Sequence, residues 1–183
     1  IVGDPLMTLK VLAHAGTHRP ERLVTDTETV VATLVLMGIA PFFRTFGPQP
    51  TVEEHLADWP GAFEGLDAVV RRAHRAARFA LAFAVHRMDG DAAVIHQAAL
   101  LHDLAEMLLW CHAPALALEV SRRQKANPTL RSVHVQRDVL NITLAELQLR
   151  LLKGWRLPEL FVRVADRGHA AVPQVGNVLL AVR

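Results

Sequence analysis

Helix starts and stops recur throughout this chain, and nowhere do apolar and polar residues alternate with period two for long enough to build a sheet. The expected fold is therefore all-α. Asp4-Pro5 reads as a cap followed by a first-turn proline, opening a helix through about Ala15. A second helix is expected from about Glu28 to Gly38, and Thr51 and Glu54 have capping-box spacing before a short helix ending at Trp59-Pro60. A longer helix should run from about Phe63 to Met88, closed by Asp89-Gly90-Asp91. Asp91 would cap the next helix, a single element reaching Pro114. Further helices are expected over about 115–125, 130–140, 143–153 and 158–167, and from Pro173 onward, with a second capping box at Thr143 and Glu146. Glycines and prolines between Pro48 and Gly65, with Gly61 and Gly65 as turn or hinge residues, suggest a smaller N-terminal helical subdomain at 1–60 and a larger bundle at 61–183.

The 183 residues are enough to bury a sizeable core. Net charge is only +2 and the arginines are scattered, with no run of basic residues and no basic-aromatic interleaving, which argues against a nucleic-acid partner. The single cysteine, Cys111, excludes an internal disulfide and suits a reducing, cytoplasmic compartment. The longest uncharged stretch, Thr29–Phe43, is shorter than the roughly 18 to 20 apolar residues that span a bilayer. No membrane is expected. A start at Ile1 and a stop at Arg183 in a helical pattern suggest that the natural protein continues beyond both.

One segment does not fit plain core helix. In "QAALLHDLAEMLLW", Gln97–Trp110, His102 and Asp103 interrupt an apolar pattern, with Glu106 one turn after His102. Adjacent helical residues point about 100° apart, yet both can converge on a point in the groove beside the helix. A metal ion is such a point, and a cation or an arginine is the usual remedy for a buried carboxylate. His74 on the preceding long helix and Asp166 in "LFVRVADRGHAA" would complete a shell of two imidazoles and two carboxylates, suited to Mn, Fe, Co, Ni or Zn. Such a metal would activate water against phosphate esters, with Glu106 placed to handle that water. The plainer alternative is that His102 and Asp103 form a polar pair that fixes packing, while Asp166 pairs with Arg163 or Arg167.

The order His74, His102-Asp103, Asp166 resembles the signature of the HD superfamily of metal-dependent phosphohydrolases. Three segments, "DPLMTLKVLAHA", "ALLHDLAEMLLWCHAP" and "LLKGWRLPELFVRVADRGH", resemble more closely the HDOD, or HD-related output domain, branch of that superfamily. The resemblance implies an N-terminal helical bundle joined to an HD-like bundle, used in bacterial signalling with other signalling proteins or domains as partners. Many members of that branch have lost metal ligands and activity. The chain departs from the family pattern at Gly16-Thr17, where an Asn-Ser pair is usual, and at Gly168-His169, where paired histidines are frequent. Three functions are thereby expected to compete. These are a regulatory module without strong catalysis, a metal-dependent hydrolase of a nucleotide or cyclic dinucleotide, and a metal-free interaction scaffold.

Overall fold

The computed structural model describes residues 2–18, 28–166 and 171–183, and among these every regular element is a helix. Asp4 accepts from the Met7 N–H at 3.0 Å and opens α1, Pro5–Thr17. Thr29 caps α2, Val30–Met37, through the Ala32 N–H. Gly38, at φ 79°, then both ends α2 and opens α3, Ile39–Phe46. The sequence had suggested no helix there; Pro41 is tolerated because it falls in the first turn, where an N–H has no helical acceptor to lose. Thr51 and Glu54 form the expected capping box of α4, Val52–His55.

The long helix α5 runs from Pro60 to His86, so Gly61 and Gly65 are helical residues and not a hinge. A Cβ on Gly65 would lie 2.5 Å from the Trp110 ring, which gives that glycine a packing reason. Leu66, Val69, Ala73, Ala76, Ala77, Ala80 and Ala84 form its buried stripe, against α6, Ala92–Leu100, and α12, Pro173–Ala181. Arg87 closes the end of α5 by donating to Asn177 of α12 at 2.9 Å.

The sequence predicts one helix across "QAALLHDLAEMLLW", and the structure corrects this. The helix α6 stops at Leu100, residues 101–103 form a turn, and α7 runs from Leu104 to His112. Together Ala92–His112 has the length and apolarity of a membrane-crossing helix, but most of it is buried inside the fold. Asp91 precedes α6 without capping it through its side chain, and its Oδ2 instead accepts from Gln174 of α12 at 3.2 Å. The remaining elements are α8, Pro114–Ala126, α9, Ser132–Leu140, α10, Leu144–Gly154, and α11, Glu159–Ala165. The Thr143–Glu146 capping box of α10 forms as expected.

Two apolar clusters result. The larger draws on α5 to α8 and α10 to α12 and takes in Leu9 and Leu12 of α1 with Leu56. The smaller joins Val11 of α1, Val30 of α2 and Phe46 of α3. The helix α1 thus serves both. Buried Gln97 of α6 ties them further, its Oε1 accepting the otherwise orphaned Val30 N–H at 3.1 Å.

Gly16, near the end of α1, sits where a Cβ would meet the Trp155 carbonyl oxygen at 2.2 Å. Only glycine permits that approach, which gives a physical reason for Gly16 where the resemblance had led one to expect asparagine. Arg167, Gly168 and His169 lie outside the described residues.

Candidate functional site

The turn between α6 and α7 is what brings His102 and Asp103 out of the core. At this break the His102 and Asp103 side chains are about a quarter to a third exposed, at 29% and 25%. A buried side chain stabilises the break from outside. Gln148 of α10, 8% exposed, donates from Nε2 to the His102 carbonyl, and its Oε1 accepts from the Ala105 N–H at 3.4 Å. Gln148 therefore acts as an N-terminal cap for α7 supplied by another helix, since Asp103 makes no cap bond of its own. Gln136 of α9 does the same for α10, accepting from the Leu144 N–H at 2.9 Å.

Around this turn the charges form a linked set. His102 Nδ1 lies 3.0 Å from Asp103 Oδ1. An ionised carboxylate only accepts, so His102 donates from Nδ1. Arg72 of α5 donates from Nε to Asp103 Oδ2 at 2.9 Å and from Nη2 to Glu106 Oε2 at 2.7 Å. Burial alone would push the Asp103 carboxyl upward; the His102 and Arg72 bonds and charges outweigh it and hold the group below its usual range. Burial likewise pulls against the Arg72 charge, but Glu106 and Asp103 together raise its pKa.

His102, Asp103 and Glu106 stand on one wall of a cleft of about 850 Å³ whose opposite walls come from α9, α10 and the ends of α11 and α12. Ser132, Gln136, Arg137, Thr143 and Gln148 make it polar, and Leu144, Val164, Leu179 and Val182 supply apolar surface. A second hollow of about 380 Å³, under Trp110 and Lys125, shares Glu106, Ser132, Gln136 and Leu144 with it. The volume suits a small molecule.

The other candidate ligands lie on α5 and at the end of α11. His74 is exposed on α5 and faces His96, whose pKa is lowered first by burial and then by the charge of His74. Asp166 is exposed at the end of α11, beside the cleft-lining Ala165, and Arg163 pairs with Glu159 at 2.9 Å. Among the described residues, no three His, Cys, Asp or Glu side chains converge closely enough to hold a metal ion. Both Asp103 oxygens accept hydrogen bonds, and the cation between the two carboxylates is a guanidinium.

Arg72 and Gln148 are the site residues that the sequence conceals. Arg72 reads as one of five arginines on the long helix, and Gln148 lies inside "LAELQLRLL", a stretch that reads as core. A carboxylate buried without an assigned metal was the one available signal, since it demands some cation.

No curated protein and no solved structure matches the chain. The family model described as HDOD domain matches residues 1–171 of the 183, and the described residues are all-helical in their regular elements. The chain belongs to the HDOD, or HD-related output domain, family.

Proposed function

We propose that this HDOD domain is a regulatory module of bacterial signal transduction, cytoplasmic, and acting through protein partners without strong catalysis. The observation that carries the reading is Arg72. Its guanidinium supplies to Asp103 and Glu106 the positive charge that a hydrolytic centre would take from a metal. A fixed organic cation neutralises carboxylates and orders the α5–α7 contact, but it has no open coordination position at which to activate water.

The rival reading is a phosphohydrolase for a nucleotide or cyclic dinucleotide, with Mn, Fe, Co, Ni or Zn held by His74, His102, Asp103 and Asp166 and with Glu106 handling water. The roomy polar cleft beside His102 is the observation in its favour. Elemental analysis of untagged protein and of His102→Ala, followed by a screen of phosphate mono- and diesters with each metal, separates the two. Our reading expects no stoichiometric metal that depends on His102 and no metal-dependent turnover. Near-stoichiometric metal lost in His102→Ala, with turnover abolished by Asp103→Ala, would overturn it.

A further inference from the structure

On α5, Arg71, Arg75, Phe79 and Phe83 follow at four-residue intervals and so form one ridge along the helix. All four are exposed, Phe79 at 57% and Phe83 at 41%. Arg71 is neutralised by Asp67 at 2.7 Å. Arg75, and Arg78 beside the ridge, make no ion pair with any described residue.

Within three turns of one helix this surface presents two exposed phenylalanines and two hydrated guanidinium groups that make no ion pair with a described residue. Aromatic residues and arginine are also the types that dominate protein interfaces. We propose that this ridge is a docking surface for an acidic, amphipathic protein segment, whose apolar side chains cover Phe79 and Phe83 and whose carboxylates pair with Arg75 and Arg78.

The charge pattern selects that partner chemistry. A nucleic acid would need more phosphate contacts than two free arginines provide, and Asp67 lies on the same ridge. A neutral apolar partner would leave both guanidinium groups uncompensated. The surface also lies on the helix that carries Arg72, with Arg75 one turn further along. This inference rests on the regulatory reading and names the partner which that reading requires.

The test is fluorescence anisotropy of a labelled helical peptide with leucine on one face and glutamate flanking it, titrated with the whole chain. Wild type should bind it. Both Arg75→Glu/Arg78→Glu and Phe79→Ser/Phe83→Ser should weaken binding by about tenfold or more, while Arg131→Glu, elsewhere on the surface, should not. Circular dichroism of each variant verifies folding. Absence of binding, binding that survives both double variants, or preferential binding of an oligonucleotide or of anionic phospholipid vesicles would overturn the proposal. Phosphate-ester turnover is followed in the same preparation. Turnover with metal defeats the regulatory reading itself, whereas no turnover and no peptide binding defeats only the docking surface.

Discussion

Arg72 and Asp103, thirty-one positions apart, meet through two nitrogens on one oxygen: Nε and Nη2 of the guanidinium both lie 2.9 Å from Oδ2. The same Nη2 reaches Glu106 at 2.7 Å. One side chain of α5 therefore holds the start of α7, and its removal would leave two carboxylates facing each other.

Arg72→Gln should lower stability by about 1 kcal/mol, the partial exposure of the pair keeping the loss well below that of a fully buried ion pair. Urea denaturation of Arg72→Gln, Asp103→Asn and the double variant gives the coupling between them. Additive losses would mean that the contact contributes nothing as a pair.

Gln148→Leu keeps the side-chain size but leaves the His102 carbonyl and the Ala105 N–H without their partner. The expected cost is about 1 to 3 kcal/mol. Hydrogen exchange should speed up first at the start of α7. Exchange that quickens only with global unfolding would show that Gln148 does not support the break locally.

Gly16→Ala would press a methyl group onto the Trp155 carbonyl oxygen. Backbone on both sides leaves little room to yield, so a loss of about 2 kcal/mol is expected. A thermal midpoint equal to wild type would remove Gly16 from the list of required glycines.

Acidification should destabilise the contact between α4 and α7. His112 has a lowered pKa, first from burial, then from His55 and Lys10, while His55 Nε2 meets the Cys111 carbonyl at 3.0 Å. Because the folded chain resists the proton, this contribution is complete above the ordinary histidine value of 6.5 and is lost as pH falls through the lowered one. His112→Asn should therefore narrow the gap between urea midpoints measured at neutral and at mildly acidic pH. An unchanged gap would assign the pH dependence to other groups.

Features that depend on a few adjacent residues were readable from the sequence. The Asp4 cap, the two capping boxes and the helix starts at Pro5 and Pro173 are local chemistry and appear where their spacing places them, whereas Pro158, expected in the first turn, is the residue that precedes α11. The break after Leu100 was not, because Leu101-His102-Asp103 contains no glycine or proline and the apolar rhythm continues across it. The side chain that bonds to the backbone there, Gln148, is forty-six positions from His102. The helix α3 was hidden for a different reason: Gly38, read as a stop, also serves as a start. His102, Asp103 and Glu106 were picked out by their misfit in an apolar run. The partner that resolves the misfit, Arg72, was hidden among arginines that look equally solvated.

Between Ala73 and Ala84 the buried side of α5 is alanine alone. Alanine has no side-chain torsions to rearrange, so this half of the helix cannot absorb a displacement by switching rotamers, as a leucine-lined contact can. A load applied at Phe79 or Phe83 would move α5 as a stiff rod. The guanidinium at Arg72, roughly 10 Å along its axis from Phe79, would feel that shift undamped.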